Sequence, residues 1–265
     1  MKSTRIAMNG AAGRMGKRIV GLGMADAEID IAAALESAQH PEIGNDAGLI
    51  AGAEKLGVPV SAHLEGEVDA VIDFSVPAST ASILETCLNR KLPLVVATTG
   101  LSDAQQEQLH QAARSIPLVW APNMSLAVNL AIKLSTTAAA ALTQYPGGID
   151  VEIVERHHRY KEDAPSGTAL KFGEQIARVM GQTQHVHGRQ GQTGQRPRDE
   201  IGYHALRVAD NPGEHTIVFG LMGETLEVTV RATNRDAYAL GALQAAKFVA
   251  RQSPGLYSMD DVLGL

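Results

Sequence analysis

Only one cysteine, Cys87, occurs in the 265 residues of this chain. A single thiol cannot form an intramolecular disulfide or a thiolate metal cluster, so the composition excludes a disulfide-stapled fold and indicates a reducing compartment. No apolar run approaches the roughly 18 residues that a membrane-spanning helix needs. The sequence also lacks the apolar segment and small-residue cleavage site of a secretory signal near its start. We therefore expect a cytoplasmic protein with no membrane partner.

Basic residues are also scarce relative to acidic ones. Lys and Arg total 23 against 29 Asp and Glu, which gives a formal net charge of −6 and a pI near 5.8. Nucleic-acid-binding domains usually carry a clear cationic excess, so we expect no nucleic-acid partner. Hydrophobic residues make up 45% of the chain, which is enough to build a globular core. The length favours two unequal domains, because single cores rarely grow beyond roughly 250 residues.

Short β-rich runs alternate with helical segments through the first half of the chain. Several of the predicted strands are apolar throughout, as in a parallel sheet that is covered on both faces. The predicted strands are 5–8, 29–35, 68–74, 92–97 and 118–121, and the predicted helices are 13–25, 77–91 and 102–115. This alternation predicts right-handed crossovers and a doubly wound, Rossmann-type α/β sheet. Residues 37–62 resist assignment and predict a loop with one short helix at most.

The pattern changes after Asn123. The second half predicts helices over 125–145 and 167–180 and strands over 149–156, 201–208, 215–220 and 226–232. Grouped strands of this kind predict a smaller α+β domain with an open mixed or largely antiparallel sheet. A last helix over 238–251 is expected to return to the first domain. We therefore predict a dinucleotide-binding domain of residues 1–124 joined by 236–265, and a substrate-binding domain of residues 125–235.

Three glycines follow the first predicted strand and open the first predicted helix. Gly10 permits a tight turn, Gly13 lets the backbone approach a pyrophosphate, and Gly16 allows close packing of the helix on the strand. The spacing is G-x-x-G-x-x-G, whereas G-x-G-x-x-G is commoner, and an ordinary structural turn is the alternative interpretation. Glu36 ends the second strand at the distance expected of a ribose-binding acid. The combination predicts a bound dinucleotide.

The residue types around Glu36 favour NADH over NADPH. A carboxylate accepts hydrogen bonds from ribose hydroxyls and repels a 2′-phosphate. Ser37 follows where an arginine could clamp such a phosphate, although Arg14 or Lys17 could lean over it, so NADPH remains possible. A solvated surface glutamate is the alternative interpretation of Glu36.

Three further motifs, residues 73–77, 97–100 and 121–124, end predicted strands. The ends of strands are where ligands bind in parallel sheets. Phe74 is expected to form an apolar wall, and small residues with free backbone groups are expected to line the nicotinamide and its ribose. Taken singly, each motif is equally typical of an ordinary βα turn. The full predicted cofactor set is Gly10, Ala11, Ala12, Gly13, Arg14, Met15, Gly16, Glu36, Phe74, Ala97, Thr98, Thr99, Ala121, Pro122, Asn123 and Met124.

Proton donors are concentrated in residues 155–169, directly before a predicted helix. His157, His158 and Lys161, with two arginines beside them, would attract carboxylates. Residues 165–168 would expose the first N–H groups of that helix as an anion site. A solvated basic loop with a capped helix is the alternative interpretation. Beside a hydride donor, the cluster predicts binding and protonation of a carboxylated substrate.

Together with the glycine motif, the E-x-H-H-x-x-K-x-D-x-P-S-G-T pattern of residues 155–168 resembles the 4-hydroxy-tetrahydrodipicolinate reductases (dihydrodipicolinate reductases) of diaminopimelate and lysine biosynthesis. The resemblance spans nearly the whole chain. It implies NAD(P)H-dependent reduction of a cyclic imine dicarboxylate to tetrahydrodipicolinate by a homotetramer assembled through the C-terminal sheet. His157 is implied as general acid/base and Lys161 as proton donor. The predicted substrate-binding residues are His158, Ser166, Gly167 and Thr168.

Two other functions stay open. Another small-acid dehydrogenase of similar build, such as a semialdehyde dehydrogenase, would need a catalytic thiol, and Cys87 lies on a predicted helix far from the histidine segment. A non-enzymatic protein that senses NAD is compatible with the fold but leaves the His157 cluster unexplained. His185 and His187 lie in a Gly/Gln-rich segment that is typical of an exposed loop, and we predict no metal site.

Overall fold

The chain folds in two units. The computed structural model describes residues 3–265, so Met1 and Lys2 of the predicted first domain lie outside the described residues. One unit contains the chain up to Leu126 together with Asp236–Leu265, and the other contains Ala127–Arg235. The predicted fold class, a Rossmann-type parallel sheet with a smaller α+β unit, is confirmed.

Twelve strands and eight helices are found within residues 3–265. The strands are β1 (Thr4–Asn9), β2 (Ile29–Leu35), β3 (Val60–Ser61), β4 (Ala70–Asp73), β5 (Leu94–Val96), β6 (Pro117–Trp120), β7 (Asp150–His157), β8 (Gln184–His187), β9 (Glu200–Arg207), β10 (Glu214–Leu221), β11 (Glu224–Arg231) and β12 (Gly255–Tyr257). The helices are α1 (Arg14–Ala25), α2 (Ala47–Ile50), α3 (Pro77–Arg90), α4 (Asp103–Ala112), α5 (Leu126–Leu142), α6 (Gly167–Met180), α7 (Asp236–Val249) and α8 (Met259–Leu263).

The first unit is a seven-stranded parallel sheet in the order β12-β6-β5-β4-β1-β2-β3. Its strands are buried on both faces, which explains their continuous apolar runs. In β1, Ile6 and Met8 pack into the core cluster that contains α1 and α7, whereas Ala7 packs into the cluster that contains α3 and α4. The carboxyl ends of these strands therefore share one edge, where the sequence predicts a ligand.

The second unit has a five-stranded sheet in the order β11-β10-β7-β9-β8. Strand β10 is antiparallel to both β11 and β7, whereas β9 is parallel to both β7 and β8. The sheet is therefore mixed, and the expectation of a largely antiparallel sheet holds for only half of its pairings. The chain between β7 and β9 includes α6, and a helical crossover of this kind returns a strand parallel to its predecessor. Core side chains of α5 and α6 pack with one face of the sheet.

Three short strands escaped the sequence analysis. Strands β3 and β12 extend the parallel sheet at its two edges, through pairings with β2 and β6. Strand β8 carries His185 and His187, which were expected in a loop; both are exposed, and the His185 Nδ1 lies 2.6 Å from the Tyr203 hydroxyl. Within residues 3–265, no group of three or more potential ligands is arranged to hold a metal ion. None of the described helices is long and apolar enough to span a membrane.

Candidate active site

The segment that joins β1 to α1 requires glycine at the start of the turn and again in the first turn of the helix. Gly10 has φ +82°, and a Cβ at this position would lie 2.7 Å from the carbonyl oxygen of Phe74. A Cβ at Gly16 would overlap the carbonyl oxygen of Gly10. The N–H groups of Gly10 and Ala11 each donate to the Leu35 carbonyl at 3.0 Å, which fastens the turn to the end of β2. The backbone at the predicted pyrophosphate site is therefore fixed without any long side chain.

Gly13 occupies the N-cap of α1 and leaves open space beside it. A Cβ built there would meet only the Gly10 carbonyl oxygen, at 3.2 Å, within a 4 Å radius of described atoms. No side chain in the described part of the chain caps this helix. Uncapped N–H groups and the helix dipole attract anions, so the space beside Gly13 fits a pyrophosphate cradle that a side chain would fill.

Glu36 directly follows β2 and turns its carboxylate toward the glycine turn. One carboxylate oxygen accepts the N–H of Ala12 at 3.2 Å, and the other accepts the N–H of Ser37 at 3.1 Å. The structure therefore brings Glu36 and the glycine motif together, although they are far apart in sequence. This is the position that a ribose-binding acid needs relative to a pyrophosphate turn.

The turn after β5 presents its two threonines differently. Thr98 is buried, donates its hydroxyl to Asp73 at 2.8 Å, and accepts the N–H of Ser75 at 3.0 Å. Thr99 is exposed. Of the two predicted cofactor contacts, Thr99 therefore has its side chain available to a ligand, whereas Thr98 uses its hydroxyl to join the turn to the end of β4.

The turn after β6 also mixes buried and accessible groups. Pro122 is exposed and Asn123 is half-buried, with the Asn123 side-chain oxygen accepting the N–H of Ser125 at 2.9 Å. Met124 is 1% exposed and belongs to the core cluster, and its carbonyl oxygen would overlap a Cβ at Gly241. The side chain of Met124 is a packing group, which leaves its backbone for the predicted cofactor contact.

In the second unit, a buried ion-pair network surrounds His157. Glu155 and His157 lie two residues apart on β7 and share one face of the strand. The side chain of Glu155 is 0% exposed, and its carboxylate lies 2.6 Å from His157 Nδ1. It accepts hydrogen bonds from the two terminal guanidinium nitrogens of Arg207, both at 2.8 Å. It also accepts the N–H of Ser166 at 3.1 Å. Burial opposes ionisation of Glu155, but hydrogen bonds from Arg207 and His157 outweigh it and hold its pKa below the ordinary value.

The same contacts set the protonation state of His157. Burial lowers its pKa below the ordinary value, against the opposing pull of Glu155. Because Glu155 is an acceptor, the neutral ring carries its proton on Nδ1 and leaves the Nε2 lone pair free. Gly213 lies beside Nε2: it has φ +147°, and a Cβ there would lie 3.0 Å from that nitrogen. A side chain at position 213 would therefore crowd this nitrogen.

The start of α6 lies in contact with this network. Ser166 caps the helix by accepting the Ala169 N–H at 3.1 Å, and its hydroxyl lies 2.9 Å from Nε2 of His215. The His215 ring packs edge-on to His157, with ring centres 5.2 Å apart. A Cβ at Gly167 would meet no described atom within 4 Å, so there is open space at the first helical residue. A helix N-terminus beside open space is suited to an anionic group.

His158 and Lys161 lie on the loop between β7 and α6. The Nδ1 atom of His158 is buried without a hydrogen-bond partner among the described residues, which leaves a polar atom available to a ligand. The Nζ of Lys161 binds both carboxylate oxygens of Asp163, at 2.7 and 2.9 Å. The Asp163 carbonyl accepts a hydrogen bond from Arg207 at 2.7 Å. Arg207 therefore ties the Lys161 loop to the buried Glu155.

The structure thus groups the predicted residues into two clusters, one in each unit. It also adds Glu155, Arg207, His215 and Asp73, to which the sequence analysis gave no role. The position of Glu155 two residues before His157 on a strand was a signal for a shared face. Asp73 belongs to a motif that ends a predicted strand, which was a signal for its place at the ligand edge of the sheet. Arg207 and His215 are brought in by strand pairing, for which the local sequence carries no signal.

Folding stability is expected to decrease between pH 6.5 and 4 because of His215. Burial, and secondarily His157, lowers its pKa from 6.5 to about 4. Between these values the unfolded chain binds a proton that the folded chain does not, so stability falls as the pH falls, by about 3 kcal/mol over the window. Denaturant unfolding of the wild type and of His215→Gln measures this, and the variant should have a shallower slope.

His204→Gln is the matched control for that experiment. His204 lies on β9 and is half-buried, and its Nε2 lies 2.7 Å from a carboxylate oxygen of Glu152. Its removal takes a histidine from the same sheet and should change the slope less than His215→Gln does. Equal slopes for the wild type and His215→Gln would contradict the assigned role of His215.

Known proteins resemble the chain over nearly its full length. The N-terminal family model of dihydrodipicolinate reductase matches residues 4–124, and the C-terminal model of the same family matches residues 127–263. A 4-hydroxy-tetrahydrodipicolinate reductase of Rhodopirellula baltica is 56% identical, covering 98% of this chain and 96% of the relative. One of Alkalilimnicola ehrlichii is 45% identical, covering 99% and 100%.

Solved structures resemble it as well. A dipicolinate-bound dihydrodipicolinate reductase from Paenisporosarcina sp. TG-14 has a TM-score of 0.79 at 26% identity and covers 97% of both chains. An amine dehydrogenase from Mycobacterium smegmatis has a TM-score of 0.64 at 13% identity, covering 97% of this chain and 95% of its own. The second likeness concerns the fold alone.

Proposed function

The chain belongs to the dihydrodipicolinate reductase family, which reduces a cyclic imine dicarboxylate with NAD(P)H in diaminopimelate and lysine biosynthesis, and we propose how its residues divide that reaction. Residues 1–124 with 236–265 bind the cofactor, and residues 125–235 bind the substrate and handle its proton. The observation that carries the proposal is the buried pair of Glu155 and His157, in which Nε2 of the imidazole lies beside Gly213, where a side chain would crowd it.

Cofactor binding is assigned to the glycine turn and the neighbouring strand ends. Backbone N–H groups near Gly13 take the pyrophosphate, because no side chain fills the space beside them. Glu36 accepts hydrogen bonds from the ribose hydroxyls, and these replace the hydrogen bond that it accepts from the Ala12 N–H. Phe74 and Thr99 line the nicotinamide end. When bound, the nicotinamide supplies the hydride that the reduction requires.

Substrate binding is assigned to the start of α6 and the loop before it. The relative from Paenisporosarcina is solved with dipicolinate, a planar dicarboxylate, and we propose that this chain holds a ligand of the same class. Ser166, Gly167 and Thr168 offer a helix N-terminus, and Gly167 leaves open space there. His158 adds a buried ring nitrogen that has no other partner among the described residues. A carboxylate would satisfy both groups.

Proton transfer is assigned to Lys161 and His157. Asp163 holds the ammonium of Lys161 until a substrate group takes its place, and Lys161 then donates a proton to the enamine that develops as the carbon conjugated with the imine is reduced. His157 accepts or returns a proton through Nε2, because Glu155 fixes the other nitrogen as a donor. A positioned acid of this kind contributes about 10²- to 10⁴-fold to the rate.

Oxidation of NADH, measured with and without the cyclic imine, tests the proposed function. We expect oxidation of NADH that depends on the imine, and no reduction of NAD+ by a semialdehyde. NADH binding without turnover would favour the sensing function, and reduction of NAD+ with the semialdehyde would favour the other dehydrogenase. Either result would overturn the proposal.

The wild type is expected to prefer NADH over NADPH by about tenfold to hundredfold. A 2′-phosphate beside Glu36 meets a like charge and removes the hydroxyl that the carboxylate would bind, at a cost of about 1–3 kcal/mol. Ser37→Arg should raise kcat/KM for NADPH, since a guanidinium pairs with phosphate through two hydrogen bonds. Steady-state kcat/KM for both cofactors measures the preference.

The control for that substitution adds the same charge elsewhere. Gln111 is exposed on α4, so Gln111→Arg changes the net charge without placing it beside Glu36. It should leave the preference unchanged. Equal use of both cofactors by the wild type, or no gain with NADPH in Ser37→Arg, would show that other residues read the cofactor.

We further propose that the chain assembles as a homotetramer through the five-stranded sheet. The face of that sheet that points away from the core cluster carries Val154, Leu206 and Val218, which are exposed or half-buried. Apolar side chains on an open sheet face favour burial against another subunit. Light scattering at assay concentration measures the mass, and a monomeric mass would refute this assembly.

A further inference from the structure

We propose that Asp73 is a positioning residue that holds together three of the turns assigned to the cofactor, and this inference rests on the proposed function. Asp73 ends β4 and is 0% exposed. No step of the proposed reaction uses it, and yet a buried carboxylate is costly unless its oxygens are well satisfied. Its hydrogen bonds therefore indicate what the carboxylate is for.

Four side chains donate to the two oxygens of Asp73. Oδ1 accepts the amide of Asn9 at 2.7 Å and the hydroxyl of Ser75 at 2.5 Å. Oδ2 accepts the hydroxyls of Thr80 at 2.6 Å and Thr98 at 2.8 Å. Both oxygens of this buried side chain are therefore satisfied by side chains of the same unit.

Three of the four donors come from the ends of neighbouring strands or the turns that follow them. Asn9 is the last residue of β1 and precedes the glycine turn, Ser75 lies in the turn between β4 and α3, and Thr98 lies in the turn after β5. Thr98 also accepts the N–H of Ser75 at 3.0 Å, so the last two turns are bound to each other as well as to Asp73. One buried carboxylate therefore sets the spacing of all three turns.

The glycine turn depends on this spacing directly. Gly10 lies so close to the Phe74 carbonyl that a Cβ would be 2.7 Å from the oxygen. The amide of Asn9, one residue earlier, donates to Asp73, one residue before Phe74. A shift of either strand end would therefore move the pyrophosphate turn relative to the nicotinamide end, and preorganised spacing of this kind is worth affinity.

Asp73→Asn tests the inference with little change in size. The amide replaces one acceptor oxygen with a donor that faces hydroxyl or amide partners, so part of the network is lost. We expect the KM and Kd for NADH to rise about tenfold, while kcat at saturating NADH and the KM for the imine stay within about twofold of the wild type.

Asp69→Asn is the matched control. Asp69 directly precedes β4, at the opposite end of the strand, and its carboxylate accepts the Arg5 N–H at 2.8 Å. The same chemical change at this end should leave the KM for NADH unchanged. A merely structural role for Asp73 would lower the stability of Asp73→Asn without a selective effect on NADH.

Thr80→Val provides a second, milder variant if Asp73→Asn fails to fold. Thr80 lies in α3, outside the proposed cofactor set, and its substitution removes one of the four hydrogen bonds to Asp73. We expect the KM for NADH to rise about threefold. An unchanged KM in the folded variants, or an equal loss in kcat and in the KM for the imine, would overturn the inference. Wild-type turnover with NADH and imine is measured alongside, so a failure of the proposed function is recognised separately.

Discussion

Lys161→Ala and His157→Ala are each expected to lower kcat by about 10²- to 10⁴-fold, while NADH binds nearly as well as to the wild type. Both residues lie in the second unit, and the proposed cofactor residues lie in the first. The substitutions remove a proton donor or the Nε2 acceptor without touching the glycine turn. Steady-state turnover of the imine and fluorescence titration with NADH measure the two quantities.

His204→Ala controls for the loss of a histidine from this sheet. His204 lies on β9 and binds Glu152, outside the His157 network. Its kcat should stay within a few-fold of the wild-type value. Retained turnover in both Lys161→Ala and His157→Ala, or a parallel loss of NADH affinity, would contradict the division of roles between the units.

Arg207→Met should lower the free energy of unfolding at pH 7 by about 3–5 kcal/mol, because it leaves the buried charge of Glu155 without its main partner. The Glu155 side chain is 0% exposed, and both of its oxygens receive Arg207. Chemical denaturation of the two proteins measures the difference. Arg231 provides the control: its exposed side chain pairs at 3.0 Å with Glu214, which keeps Arg156 as a second partner, so Arg231→Met should cost at most about 1 kcal/mol.

The pH dependence of this loss has a definite sign. In the wild type the pKa of Glu155 is lowered, so its contribution is present above the unfolded pKa and is lost as the pH falls through the folded pKa. Removal of Arg207 takes away a hydrogen bond and a charge that lower this pKa, so the variant has less of this contribution to lose as the pH falls. The difference between the two proteins should therefore shrink on acidification. A loss no greater than that of Arg231→Met would contradict the buried-pair assignment.

The elements that could be predicted closely are those with local signals at both ends. Helix α6 was predicted over 167–180 and is observed there, because Ser166 caps its start and Gly181, at φ +83°, ends it. Strand β2 was likewise predicted with its observed bounds. Strands β3 and β12 have two and three residues, and they exist only because a neighbouring strand supplies their partners. Periodicity cannot appear in so short a segment.

The same distinction applies to the site in the second unit. His157 and Lys161 belong to one short segment, so residue type and spacing indicated them together. Arg207 and His215 reach the segment through the sheet. Arg207, on β9, is the strand-pairing partner of His157, and His215, on β10, is the strand-pairing partner of Glu155. That arrangement depends on β7 lying between β9 and β10. Chain order does not reveal this placement, because β7 and β9 pair in parallel across an intervening helix.

The insertion of the second unit into the first has a consequence for synthesis on the ribosome, where the chain emerges from its N-terminus. All the strands and helices of the second unit, apart from the first residue of α5, come from the uninterrupted stretch Ala127–Arg235. The first unit, in contrast, is incomplete until Asp236–Leu265 has been synthesised. This segment contains α7, which packs into the core of the unit, and β12, which pairs with β6. The unit that is made first is therefore completed last. Until then the apolar residues that α7 covers are exposed, in the condition that chaperones bind.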